Sequence, residues 1–411
     1  MAQSGSLSNT LSETVTLSRE LREEGQIDGQ VKLYNVDDDG EFESDATLFF
    51  ERTLMTQGLR EALTILRDSL TGDDPRGTHI LYGPYGSGKS HQMVALYHCF
   101  DDPTAASDWA ADSVDGFDTA LPESTTPITV AMQNEQYEYL WEPFFGALDY
   151  DPGTYESGGY PDMQTIQDAV GDDTVAFFID ELEDWFDTLQ GDRKSANKAF
   201  LQSLLESTAL SELELYTIVS VLREGSEVHD ILNREQAVEV NMNNQVDKRE
   251  VLRHRLIDSV DESAARDIVT TYFDADDQSD HVDLPDDLLS EMHGLYPFHP
   301  VLLDALETRY YADEGNQNTR GMIYLFSKVL LEMRDQTDLI THGDIDAIEF
   351  EDELAKINYE RLNAATGDIN NRVDTDEVPH GRRIINTILL YSLKPSEGEG
   401  ADVSDIIMGA Y

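Results

Sequence analysis

Gly83-Pro84-Tyr85-Gly86-Ser87-Gly88-Lys89-Ser90 fits the pattern G-x-x-x-x-G-K-[ST] in full. Its glycines allow backbone N–H groups to converge on a phosphate. The pattern predicts that Gly83, Pro84, Tyr85, Gly86, Ser87, Gly88, Lys89 and Ser90 cradle a nucleotide. Lys89 would bridge the β- and γ-phosphates, and the Ser90 hydroxyl would ligate magnesium. Further on, Thr174-Val175-Ala176-Phe177-Phe178-Ile179-Asp180-Glu181 is an apolar run ending in two acids, the Walker B pattern. Asp180 is expected to hold magnesium through water, and Glu181 to polarise an attacking water as a general base. The implied cofactors are ATP and Mg²⁺, and the implied reaction is hydrolysis. No motif of the kind that specifies guanine is evident, which favours ATP.

Five further positions could act on a terminal phosphate. Asn134 ends the run Ala131-Met132-Gln133-Asn134 and could hold and release the catalytic acid; the alternative is a strand-end cap. Ser220 and Arg223 lie at and just beyond the tip of Tyr216-Thr217-Ile218-Val219-Ser220-Val221, where a polar group could sense the γ-phosphate; Arg223 could equally form a surface ion pair of little consequence. Arg234 precedes another strand and could reach a neighbouring subunit's phosphate, or simply favour a helix C-terminus. Arg320, in Asn318-Thr319-Arg320-Gly321, opens an apolar helix and could reach bound nucleotide; the alternative is a capping turn.

These residues need a scaffold. Strands are predicted at Thr78–Tyr82, Ile128–Met132, Thr174–Ile179, Leu215–Leu222 and Ala237–Met242. Helices are predicted between them at Ser90–Cys99, Glu138–Leu148, Met163–Val170, Lys194–Ser207 and Glu227–Asn233. Such alternation means a parallel sheet covered on both faces. Thr56 is an expected N-cap for a helix ending before Gly72. Asp101–Thr126 and Asp149–Pro161 read as surface insertions. After residue 246 the pattern is all-helical: Arg249–Val260, Glu262–Phe273, Leu288–Leu295, Val301–Arg309, Thr319–Arg334, Ile345–Leu362 and Arg382–Leu393. Residues 1–45 read as a polar lead-in, with a short helix near Leu17–Glu24 and a strand near Val31–Tyr34. Tyr296-Pro297-Phe298-His299-Pro300 reads as a packed corner.

The bulk numbers constrain partners. Of 411 residues, 83 are acidic and 28 basic, a net charge of −55 spread along the whole chain. Lysine occurs only at 32, 89, 194, 198, 248, 328, 356 and 394. This distribution fits a hydrated carboxylate surface in multimolar salt, as in an extreme halophile, where self-repulsion is screened. Without a broad basic footprint, any DNA contact must be local. The one cysteine, Cys99, excludes a disulfide within the chain. A polar N-terminus and the absence of a long apolar run predict a cytoplasmic protein with no membrane partner.

The nucleotide motifs, the polar strand tip, the arginine before the fifth strand and the arginine of the helical segment together resemble AAA+ ATPases. So does the passage from Arg234 to Leu256. The chain is further similar to the large P-loop ATPases of prokaryotic defence islands, among them the BREX and phage-growth-limitation ATPases. The similar stretches are Phe49-Phe50-Glu51-Arg52-Thr53 through Arg60, Gly83 to His91, Leu96-Tyr97-His98, Tyr296 to Pro300, and Gln317 to Gly321. Several such relatives end the P-loop in Thr, where this chain has Ser90, and they are longer.

The resemblance implies an α/β core at 46–245, with a five-stranded parallel AAA+ sheet and helices on both faces. A helical lid at 246–365 would follow, then at 366–411 a linker and the start of a winged-helix-like domain, as in a truncated chain. ATP–Mg²⁺ would bind between core and lid, with Arg320 in cis and Arg234 in trans stabilising transition-state charge. Turnover would move a partner protein or DNA, in a homo-oligomer or with defence-complex proteins; DNA would be bound through the missing or downstream domain. Two alternatives remain open: a nucleotide-gated assembly switch with little hydrolysis, and an origin-initiator-like DNA-binding ATPase.

Overall fold

The computed structural model describes residues 10–410 except 28, 133–136, 157, 211, 235–237, 242–244, 278–281, 283, 285, 310–317, 374–379 and 394–399. The strands are β1 (Val15–Leu17), β2 (Thr78–Tyr82), β3 (Thr126–Ala131), β4 (Val175–Asp180), β5 (Leu215–Val221), β6 (Val238–Asn241) and β7 (Ile257–Val260). The chain divides into two compact units, one of residues 30–247 and one of residues 1–29 with 248–411.

In the first unit, β2 to β6 form a parallel sheet in the order β3-β4-β5-β2-β6. The first strand of the nucleotide core therefore lies between the fourth and the fifth, the AAA+ order. Every residue of β4 and β5 is buried, which is why both read as unbroken apolar runs rather than alternations. Their period of two splits the core. Val175, Phe177, Ile179, Leu215, Val219 and Val221 face one cluster, while Ala176, Phe178, Tyr216 and Ile218 face the other. Helices Trp141–Ala147, Met163–Val170 and Gly191–Thr208 cover the first face; Gln57–Thr71 and Lys89–Asp101 cover the second. Helix Gln57–Thr71 starts where the Thr56 hydroxyl accepts the Leu59 N–H at 3.1 Å, and stops at Gly72, whose φ is 77°.

Two local expectations differ from the structure here. Residues 31–34 form no strand: Leu33–Asn35 is a 3-10 turn, and buried Glu43 takes the Lys32 N–H that a ladder would need, together with the Asn35 side-chain amide. The supposed insertion 101–126 holds helices Pro103–Ala110 and Phe117–Ala120, and buries Ala106, Ala110 and Phe117 on them and Val114 between them. The signal was present in Asp102-Pro103, an N-cap carboxylate accepting the Ala105 N–H at 3.0 Å followed by proline at the first helical position.

The second unit is helical around a small two-stranded ribbon. The stretch expected as one helix, Arg249–Val260, is helical only to Leu256; Ile257–Val260 turns extended and pairs antiparallel with β1, Val15 opposite Val260. The described residues between 10 and 29 thus pack as part of this unit rather than as a separate lead-in. Leu11, Leu17, Leu21 and Ile27 are buried, and Glu20 takes Arg255 on both carboxylate oxygens at 2.8 Å. Tyr296 to Pro300 is a packed corner: the Tyr296 hydroxyl bonds Thr14 at 2.8 Å and donates to the Asp338 carbonyl at 2.9 Å. The helix expected at Ile345–Leu362 starts only at Glu351, beyond a 3-10 turn at His342–Asp344, and runs to Asp368 with a kink at Asn358. Residues 381–410 belong to the same unit. Helix Gly381–Ser392 ties to that turn through Arg383 and Asp344, and helix Val403–Ala410 lies so close that a side chain on Gly343 would strike the Gly409 carbonyl. Among the described residues no helix is long and apolar enough to cross a membrane.

Candidate functional site

β2 leads into the glycine-rich loop and the helix Lys89–Asp101 leads out of it. Gly86 and Gly88 have φ of 73° and 94°, values that disfavour a Cβ. The Gly83 N–H donates to the Val221 carbonyl at 3.2 Å, fastening the loop to the end of β5. The Lys89 ammonium donates to the carbonyls of Gly83 at 2.6 Å and Pro84 at 3.0 Å. Burial lowers its pKa, while Asp180, Glu183 and Glu181 pull it back up. The Ser87 hydroxyl is buried and makes no hydrogen bond.

Sheet register brings the acids to this loop. Ile179 lies opposite Val219, so the next residues, Asp180 and Ser220, are neighbours. Asp180 is 7% exposed. Its Oδ2 accepts the Ser90 hydroxyl at 2.9 Å, and its Oδ1 accepts the Ser220 hydroxyl and, at 3.0 Å, the Glu181 N–H. The same N–H lies 3.2 Å from the Ser220 oxygen. Ser90 Oγ and Asp180 Oδ2 thus place two hard oxygen donors side by side at the end of the phosphate loop, a partial set of the kind magnesium completes with phosphate and water. Together with the unpartnered Ser87 hydroxyl, this donor set fits a magnesium nucleotide.

Glu181 occupies the left-handed region, φ 58° and ψ 29°, which is costly for a residue with a Cβ and turns its side chain out of the line of β4. Burial, then the charges of Asp180 and Asp184, raise its pKa; Lys89 opposes them. Tyr85, 46% exposed, donates its hydroxyl to Asp184 at 2.7 Å. That bond, with burial second, pushes its pKa up to about 12.

Lys89, Ser90, Asp180, Glu181 and Ser220 come together. Arg223, just beyond β5, is exposed and pairs with Asp187 at 3.0 Å and Asp184 at 3.5 Å. Arg234 is the exposed last residue of helix Glu227–Arg234. Arg320 is in the other unit, on helix Asn318–Met333. Asn134 lies outside the described residues. Reasoning from the sequence missed Glu183 and Asp184, because an acid beside a Walker B motif carries no signal in a chain this acidic. It also missed the pairing of His91 Nε2 with the Thr53 hydroxyl at 2.9 Å, which with the Phe49 ring at 4.8 Å packs the segment before β2 onto the P-loop helix.

Family models match on both sides of the Walker B strand. The DUF499 N-terminal domain matches residues 20–136, which include the glycine-rich loop. The DUF499 second domain matches residues 243–354, which include the Tyr296–Pro300 corner and Arg320. The chain carries both DUF499 domains. Among solved structures, this chain is similar to the Aeropyrum pernix ORC1 protein in complex with DNA, at 11% identity and a TM-score of 0.39, covering 92% of this chain and 80% of that one. For the Aeropyrum pernix ORC2 protein the values are 14%, 0.40, 80% and 74%. For the Thermotoga maritima RuvB Holliday junction branch migration motor they are 12%, 0.35, 80% and 83%. No curated protein matches. The fold assignment rests on the strand order of this chain, since likeness at this level is too slight to carry it.

Proposed function

We propose that this protein binds ATP with magnesium and hydrolyses it. The observation that carries the proposal is the meeting of Ser90, Asp180 and Ser220 at the mouth of the glycine-rich loop, with Glu181 fixed beside them. Lys89 exchanges its two loop carbonyls for phosphate oxygens. Ser90 and Asp180 hold the cation, which supplies charge neutralisation on the phosphates when bound. The Glu181 carboxylate orients a water and accepts its proton. Ser220 keeps Asp180 aimed by donating to the oxygen that faces away from Ser90.

Phosphate release in multimolar KCl tests this, with Lys89→Ala and Glu181→Gln beside the wild type. Lys89→Ala is expected to lose nucleotide binding, and Glu181→Gln to bind without turnover. A wild type that binds ATP yet releases no more phosphate than Glu181→Gln would instead be a nucleotide-gated switch. The roles of Arg320, Arg234 and Asn134 rest on the AAA+ resemblance, and substitution with turnover as the readout tests each. Work on a partner protein or DNA, assembly into a homo-oligomer and a place in phage defence rest on the defence-island resemblance. An origin-initiator-like role requires salt-dependent DNA affinity, which a binding titration at several KCl concentrations measures.

A further inference from the structure

The turn after β4 touches both arms of the phosphate site. Glu183 is 4% exposed. Its Oε2 accepts the backbone N–H of Leu222 and, at 3.2 Å, that of Arg223, the two residues that follow β5. Its Oε1 accepts no hydrogen bond and lies 3.6 Å from Nε of Arg223. The next residue, Asp184, takes the hydroxyl of Tyr85 from the glycine-rich loop. A buried carboxylate is costly unless it is hydrogen-bonded, and here backbone N–H groups beyond the end of a strand meet that need. The tip of β5 is therefore held to the tip of β4 twice, by Ser220 on Asp180 and by Leu222 and Arg223 on Glu183.

We infer that Glu183 is a positioning residue for hydrolysis: its carboxylate keeps the Ser220–Arg223 tip at a fixed distance from Asp180 and Glu181. The inference rests on the ATPase reading of the same site. It separates binding from chemistry, because the glycine-rich loop and Lys89 make no hydrogen bond to Glu183 among the described contacts, whereas Leu222 and Arg223, which follow the strand that carries Ser220, donate to it.

The test compares Glu183→Ala and Glu183→Gln in the full chain at high salt. It reads kcat, affinity for a fluorescent ATP analogue, and amide hydrogen exchange at Leu222 and Arg223. In Glu183→Ala, kcat falls by about tenfold or more while the nucleotide Kd stays within about threefold, and both amides lose protection. In Glu183→Gln the amide oxygen still accepts both N–H groups, so protection persists and kcat stays within about threefold of wild type. The inference is overturned if Glu183→Ala keeps kcat within about twofold, if its Kd rises as far as its kcat falls, or if Leu222 and Arg223 stay protected. It is also overturned if Glu183→Gln is as impaired as Glu183→Ala. Should Glu183→Ala not fold, Glu183→Asp takes its place, with the same expected split and the same overturning results. Should the wild type prove to have no turnover, the ATPase reading falls separately, and exchange at the two amides still decides whether Glu183 holds the tip.

Discussion

Asp180 serves two hydroxyls at once, Ser90 on one oxygen and Ser220 on the other. Removing either should be felt differently. Ser90→Ala takes away a cation ligand, so the magnesium concentration giving half-maximal turnover should rise by about tenfold or more. Ser220→Ala leaves the ligands in place but frees Asp180 and Glu181, so kcat should fall more than affinity, as paired binding and turnover measurements would register. Glu181 makes the pH prediction. Its carboxyl sits above the ordinary value of 4.5 because it is partly buried beside Asp180 and Asp184. A general base works deprotonated, so turnover falls as pH drops through this raised value. The acid limb of the kcat/KM profile should accordingly lie above 4.5, and an acid limb at or below that value would remove Glu181 from the role.

At the scale of elements, the period of two along β4 decides how the sheet is filled. Phe177 and Phe178 point to opposite clusters and both are fully buried. Phe178→Ala should cost about 3–5 kcal/mol, measured by denaturant unfolding, through lost burial and the cavity left behind. The N-terminal ribbon makes a second case. Glu20 and Arg255 have side chains 7% and 4% exposed, so truncating one leaves the other charged and buried. Glu20→Ala should cost about 3–5 kcal/mol in the unfolding of this unit, whereas replacing both by apolar residues should cost far less. A Glu20→Ala variant as stable as wild type would show that residues 1–29 contribute little there.

For the whole molecule, a charge of −55 is the dominant number. At 0.1 M salt the Debye length is about 10 Å, and at 1 M about 3 Å, so dilution lets carboxylates across the surface repel one another. The thermal midpoint should climb steadily as KCl rises from tenths molar to several molar, and a midpoint indifferent to salt would count against the halophile reading. Turnover assays in dilute buffer would then report unfolding rather than catalysis.

The sequence by itself determined the phosphate loop, the acids ending β4, and five strands alternating with helices, because each is a local pattern. Loop glycines, strand hydrophobicity and N-caps such as Thr56 act over a few residues, and the folded chain keeps them. It did not determine which polar residues would meet. Ser220 stands beside Asp180 because β5 pairs with β4 in a particular register, and Glu183 is buried because the turn after β4 closes over the end of β5. Ser220 stood out by its place at the strand tip, but as a sensor of phosphate and not as a partner of Asp180, and in a chain with 83 acids Glu183 does not stand out by type or spacing. The place of residues 1–29 was likewise beyond local reading, since their few apolar positions are satisfied only by a strand and a helical core more than two hundred residues away in the chain. Contacts of that range are fixed by tertiary packing, where burial of the whole surface, and not the propensity of any segment, selects the partner.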